Sequence, residues 1–410
     1  MVAAQYGFMQ IFGTYSEDLA AATGLSPGAV GGFYVVANWG ACLMAFVPGL
    51  VFDLCGAAWT SAAGGGLAAG GALAAAAGLG VAGRTLGGAW AARAGYLALG
   101  LGSSFLNTVS VLGAVRLVPE RHAGKASAFV LCCLALGMSA HSMVYTRWFP
   151  GDPVGFLVYQ GAYSLAAGLL GLALFAALGK PPVEKAAQGG GDGAAAVCAR
   201  PRSVLDRVRD CCRNAQMPWL AAIFLVPLSY SFALLGMWST CAARVGMEAG
   251  LRARLAVGLG ACSALGRILL GGLSDVAPAG RERLGRELCL ATGLLAFQLG
   301  FACLEWDQGA MLEPALLLQA FGYGGVLALV PAALRASFPA EDLGVVYGLL
   351  YQLLAVSFTL FNRAAVPAPG CLGPACFAGW FRAAGLLNAG CLVWSARRCA
   401  AASRPRAPSP

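Results

Sequence analysis

The chain has 410 residues, of which 59% are hydrophobic and only 11% charged, and its mean hydropathy is +0.72. So few charges cannot cover a water-facing surface of that size, which excludes an ordinary soluble domain and makes lipid the solvent. The net charge of +9 does not point to nucleic acid, because the basic residues lie in short loops between apolar runs and not on a polar domain.

Crossing ~30 Å of hydrocarbon takes about 20 apolar residues. On that measure the first six membrane spans are expected near 1–22, 27–52, 57–82, 88–114, 123–146 and 154–179. Met1 opens directly into apolar sequence, and only 15 residues precede the polar run Ser16, Glu17, Asp18. The first helix is therefore read as truncated, with the true start upstream. A signal peptide is disfavoured because the segment lacks a basic start.

Residues 180–216 break the pattern and are read as a cytoplasmic linker. Ala186 to Val197 is low-complexity Gly and Ala. From Ser203 to Arg213 the spacing predicts a basic amphipathic helix, with Val204, Leu205, Val208, Cys211 and Cys212 on one face and Arg202, Arg207, Arg209 and Arg213 flanking or opposing them. Two readings stay open, a helix lying on an anionic leaflet and a solvated basic linker. Cys211 and Cys212 are candidates for palmitoylation on the first.

Six further spans are expected near 217–241, 254–274, 286–306, 312–334, 343–363 and 377–396, followed by a tail over 397–410. With both termini in the cytoplasm, two thirds of the Lys and Arg residues fall on the cytoplasmic side, as the positive-inside rule asks. The fold class is thus all-α integral membrane, twelve transmembrane helices in halves 1–179 and 217–396. Most of the fifteen cysteines are single residues in apolar spans, where a thiol acts as a small hydrophobe. Cys371 and Cys376, in the last outer loop, are the one pair placed for a disulfide. Phosphate-loop and dinucleotide motifs are absent, and His122 and His141 are the chain's two histidines, so no enzyme activity, cofactor or metal is expected.

The halves repeat each other. Gly49, Asp53, Gly100, Gly102, Pro119 and Gly124 recur as Gly271, Asp275, Gly322, Gly324, Pro339 and Gly344. Acidic residues are scarce here, so the shared Gly-x-x-x-Asp pattern carries more weight than the glycines.

Pro48-Gly-Leu-Val-Phe-Asp-Leu-Cys-Gly56 resembles the loop signature between spans 2 and 3 of the major facilitator superfamily, and Gly271-Gly-Leu-Ser-Asp275 resembles its second-half counterpart. Gly100-Leu-Gly-Ser-Ser-Phe, Val118-Pro-Glu-Arg-His-Ala-Gly124, Leu136-Gly-Met-Ser-Ala140 and Leu265 to Asp275 are similar to its nodulin-like and monocarboxylate-transporter-like branch. The resemblance implies a secondary transporter that works by alternating access, with Gly49, Asp53, Gly56, Gly271 and Asp275 in a cytoplasmic gate. Two departures stand out. Ala57, Ala58 and Trp59 replace the basic residues usual after Gly56, and Tyr96 stands where an arginine is common. Asp53 is still able to accept N–H bonds from a helix N-terminus without an arginine. Near Asp275, Arg281 and Arg283 are the expected cations. Gly66 and Gly70 have the small-xxx-small spacing of close, slidable helix contacts.

Polar groups inside spans are the candidate solute contacts. Arg267 lies eight residues before Asp275, ~12 Å inward at 1.5 Å per residue. It would hold a carboxylate solute, or else make a fixed structural contact. Further candidates are Gln10, Tyr15, Asn107, His141, Tyr230, Gln319, Tyr323, Gln352 and Asn362, each of which also fits a helix–helix contact. Glu17, Asp18 or His141 would carry a coupled proton. The expected partners are a small-molecule solute and the lipid bilayer, the solute being an organic anion such as a monocarboxylate. An amino-acid or neutral-metabolite carrier of the same fold, or a sensor that does not transport, are the rival readings.

Overall fold

The computed structural model describes residues 2, 11–82, 85–178, 203–244, 246–277, 282–307, 309–364 and 378–403. Gln10, the Cys371–Cys376 pair, Arg281 and the Gly/Ala run of the linker lie outside them, so the expectations that rest on them stay expectations.

Every regular element among the described residues is helical. The first are α1 (Phe12–Thr23), α2 (Pro27–Asn38) and α3 (Phe46–Ala82), with a π-helical turn over Trp39–Leu43 leading into α3. Then come α4 (Leu86–Leu117), α5 (Ala123–Trp148) and α6 (Pro153–Leu178). The short α7 (Val204–Arg213) precedes α8 (Met217–Ile223), a π-helical turn at Phe224–Leu228, and α9 (Ser229–Arg244). The last five are α10 (Ala249–Ser274), α11 (Glu282–Trp306), α12 (Leu312–Ser337), α13 (Leu343–Ala364) and α14 (Ala378–Ala402).

Local chemistry sets many of these ends. Ser26 accepts the Ala29 N–H with Pro27 at the first helical position, Thr85 caps α4 through Gly88, and Ser203 caps α7 through Asp206. Gly24 closes α1 in the left-handed conformation. Inside α3, Gly56 has φ 81° and ψ 172°, so the chain turns sharply there. That turn falls in the short loop expected between residues 52 and 57.

Nine segments among the described residues are long and apolar enough to cross a membrane, from Phe46–Val81 through Ala340–Phe361. Leu165, Leu169, Leu170 and Leu174 on α6 are exposed, as a lipid-facing side requires. Large exposed tryptophans lie near helix ends, with Trp90 at the start of α4, Trp148 at the end of α5 and Trp306 at the end of α11. Such amphipathic rings favour the headgroup level.

The chain forms two compact units. Unit 1 comprises Met1–Pro119, Cys133–Met217 and Ser337–Gln352. Unit 2 comprises Glu120–Cys132, Pro218–Ala336 and Leu353–Pro410. The first turns of α5 and α13 thus belong to a different unit from the rest of each helix.

In unit 1, α3 and α4 meet backbone to backbone through Gly64, Gly71 and Gly78, spaced by seven, against Gly95 and Gly102. A Cβ at Gly71 would run into the Leu99 amide and one at Gly95 into Ala75. The expectation for Gly66 and Gly70 is corrected. Their missing Cβ atoms would meet nothing within 4 Å, so the close contact runs through a neighbouring face of the same helix.

Candidate functional site

Within unit 1, Asp53 sits at the end of the first segment of α3, with its side chain fully buried. Its carboxylate accepts the backbone N–H of Gly344 at 3.0 Å and of Val345 at 2.8 Å, the first turn of α13. Those amides have no partner inside their own helix, so a carboxylate both satisfies them and opposes the positive end of the helix dipole. Glycine makes the approach possible. A Cβ at Gly49 would collide with the Gly344 carbonyl and one at Gly344 with that of Gly49, while one at Gly348 would lie 2.6 Å from the Ala45 carbonyl oxygen.

Two arginines complete this first latch. Arg116, near the end of α4, places Nη2 2.7 Å from Asp53 Oδ1 and donates to the Ala340 carbonyl, with its guanidinium 4.3 Å from the centre of the Phe52 ring. Arg207, on α7, donates from Nη2 to Asp53 Oδ2 at 3.1 Å, from Nε to Asp342 Oδ1 at 2.7 Å, and to the Glu341 carbonyl. The first latch carries charge even though the basic residues usual after Gly56 and the arginine common at position 96 are replaced. The charge comes from Arg116 and Arg207, which are distant in sequence from the loop motif.

Unit 2 holds the counterpart. Asp275 accepts the N–H of Gly124 at 3.2 Å and of Lys125 at 2.7 Å, at the start of α5. Gly271 faces this turn so closely that a Cβ there would lie 2.6 Å from that of Ala128, and Ser274 Oγ–H donates to the Gly271 carbonyl at 2.8 Å. Among the described residues no cation pairs with Asp275, and Arg283 is exposed. Arg286 reaches Glu120 at 3.2 Å instead. Among the described residues the second latch is a capped helix start, and the position matching Arg116 at the offset between Pro119 and Pro339 is Ala336.

Arg267 is 3% exposed within α10, and its Nη1 donates to the Leu131 carbonyl of α5 at 2.7 Å. One face of α10 therefore carries Arg267, Gly271 and Asp275, each touching the opening turns of α5.

The remaining candidates divide between the units. In unit 1, Tyr15 is buried in a ring cluster with Phe12, Tyr145 and Phe156. Asn107 Nδ2 donates to the Tyr347 hydroxyl at 3.2 Å, which donates to that of Tyr351 at 3.1 Å. His141 Nδ1 lies 3.4 Å from the Tyr159 hydroxyl, with its ring edge-on to Tyr163. Gln352 donates to the Leu43 carbonyl at 2.9 Å, satisfying the backbone at the end of the π-helical turn. Asp18 accepts from the Tyr145 hydroxyl.

In unit 2, Tyr230 stacks on Phe361 with centroids 3.9 Å apart. Gln319 accepts from Ser231 at 2.6 Å and donates to the Phe297 carbonyl at 3.0 Å. Tyr323 stacks on Phe232. The side chains of Glu17 and Asn362 are outside the described set, although their backbones lie in α1 and α13. Arg116, Arg207, Asp342, Tyr347 and Tyr351 are contacts that sequence reading did not select. Among the described residues no group of three or more potential metal ligands occurs.

The amphipathic helix expected over 203–213 is present as α7 (Val204–Arg213). Arg207 and Cys211 are its buried residues, while Leu205 is 75% exposed. Burial pushes the Cys211 thiol up to about 12, which removes Cys211 as a ready acylation site, and Cys212 is the exposed neighbour.

The family model described as Major Facilitator Superfamily matches residues 1–361. The chain belongs to the major facilitator superfamily. It is accordingly an integral, multi-pass membrane transporter and not an enzyme. No curated protein matches the sequence. Among solved structures, the fold is similar to the E. coli fucose:proton symporter FucP, at TM-score 0.67 and 16% identity over 98% of this chain and 98% of that one. It is similar to the human organic anion transporter MFSD10, at TM-score 0.66 and 15% identity over 98% and 96%. The proton:xylose symporter XylE gives TM-score 0.63 and 13% identity over 97% and 94%. At these identities the likeness is one of fold.

Proposed function

We propose that this transporter is a secondary active carrier for a small organic anion of the monocarboxylate class, working by alternating access with Arg267 as the anion-binding group. The observation that carries the anion reading is Arg267 itself, 3% exposed within an apolar helix. A cation at that depth is costly and marks solute pathways, and a guanidinium matches a carboxylate in two-point geometry. The sequence motifs similar to the nodulin-like and monocarboxylate-transporter-like branch support the same class. Twelve spans in two repeats with both termini cytoplasmic complete the reading, which places both latches on the cytoplasmic side.

The latches give the cycle its physical form. Each joins a carboxylate to the first amides of a helix from the other half of the sequence. Releasing both frees the starts of α5 and α13, which is the change an inward opening needs. Asp18, held by Tyr145, and His141 are the groups offered for a coupled proton.

A second reading has its own observation. The Leu131 carbonyl contact fits an arginine that serves packing, and the solute would then be a neutral metabolite bound by amide and hydroxyl groups. Thermal unfolding of the purified protein with panels of monocarboxylates, amino acids and sugars separates the two, since a ligand that binds the native state raises its melting temperature. The anion reading expects a shift with carboxylates that is lost in Arg267→Gln. A shift with neutral solutes only, kept in Arg267→Gln, selects the second.

A further inference from the structure

The two latches are built alike at the backbone, and the first adds one arginine from α4 and one from the linker helix. Asp275 holds its helix with two amide bonds. Asp53 does the same and adds Arg116 and Arg207, while Arg207 also takes Asp342. Asp53, Asp342, Arg116 and Arg207 thus lie in one ion cluster, with side-chain exposures of 0% and 2% for the acids and 7% and 15% for Arg207 and Arg116. At the far end of α7, Asn214 donates from Nδ2 to the Ser337 carbonyl at 2.9 Å. The linker helix therefore grips the 337–342 connection at both of its ends and ties it to Asp53.

We propose that α7 is the state-setting clamp of the first latch. Arg207 is the positioning residue through which the conformation of the linker decides how readily the start of α13 leaves Asp53. Removing Arg207 takes a guanidinium away from two buried carboxylates, and breaking a buried charged pair from one side is strongly destabilising. A lysine cannot replace it, because an ammonium is a point charge and the guanidinium fork bridges Asp53, Asp342 and a carbonyl together. The Ser203 cap on α7 supports the clamp from a distance, since it holds the turn that carries Arg207. Whatever draws α7 away from this seat opens the first latch and leaves the second unaffected, whichever solute is carried.

Hydrogen exchange of the full-length protein in detergent tests this without a substrate, by following the amides of Gly344 and Val345. Arg207→Ala is expected to speed their exchange at least about tenfold, with Arg207→Lys intermediate and α14 unchanged. Wild-type exchange at Gly344 and Val345 in Arg207→Ala, under conditions where Asp53→Ala loses protection, would overturn the proposal. So would an acceleration shared equally by α14, because the helix would then only support overall stability. If Arg207→Ala does not fold, Arg207→Lys carries the same comparison.

Discussion

Asp53 accepts the backbone N–H of Gly344 at 3.0 Å across 291 positions of sequence. Asp275 and Gly124 repeat the relationship at 3.2 Å across 151 positions, with the helix start now preceding the acid in the chain. One repeated sequence unit thus makes the same bond twice, each copy capping a helix of the other.

The two caps are unequal, and truncating each acid measures by how much. Asp53→Ala removes the carboxylate that Arg116 and Arg207 share in a buried setting, for which about 3–5 kcal/mol is expected. Asp275→Ala removes a helix cap, for which ~1 kcal/mol is expected. Chemical denaturation of the two variants in one detergent gives the comparison, and equal losses would show that the arginines add nothing to the first latch.

Close packing makes a second contrast. Gly49→Val drives a side chain into the Gly344 carbonyl and is expected to open the first latch at a cost of about 1–3 kcal/mol. Gly66→Val, where a Cβ meets open space, is expected to stay within ~0.5 kcal/mol. Melting temperatures of the two variants check this, and a Gly66→Val loss as large as that of Gly49→Val would refute the assigned α3 face.

Thiol chemistry on α7 supplies a pH test. Burial raises the Cys211 thiol to about 12, so it stays protonated and unreactive from pH 7 to 9 while α7 is seated. Cys212 is exposed and is expected to react with a water-soluble maleimide. Mass mapping of the labelled peptide reads both sites. Cys211 labelling at the rate of Cys212 would mean that α7 is not held against Asp342 and Asp53.

Much of this was legible in the sequence, for reasons that also explain the gaps. Asp53 and Asp275 stood out because a repeated acid is rare in so apolar a chain, while the helix starts they cap, 291 and 151 positions away, could not be read from the pattern. Arg116 and Arg207 were visible only as positive charges in loops, because sequence shows that an arginine is present and not which acid it reaches 63 or 154 residues away. On α7 the spacing grouped Arg207 with Arg209 and Arg213, yet Arg207 is buried beside Cys211 while Arg209 and Arg213 are exposed, because the carboxylates of Asp53 and Asp342 reach that one arginine, which no periodicity reveals. Gly66 and Gly70 marked the right helix and the wrong face. The contacting glycines, Gly64, Gly71 and Gly78, lie on the same helix a fraction of a turn away. Tyr347 and Tyr351 read as ordinary aromatic residues on an apolar face, and their link to Asn107 exists only once α4 and the start of α13 are packed in unit 1.

Counterflow in proteoliposomes tests the central claim most directly, using vesicles loaded with an unlabelled short monocarboxylate and diluted into the labelled compound. A transient label overshoot above protein-free vesicles is expected, abolished in Arg267→Gln and unaffected by loading with a neutral sugar alone. No overshoot with any monocarboxylate, from protein that gives counterflow with a neutral solute, would contradict the assignment of Arg267 as an anion site.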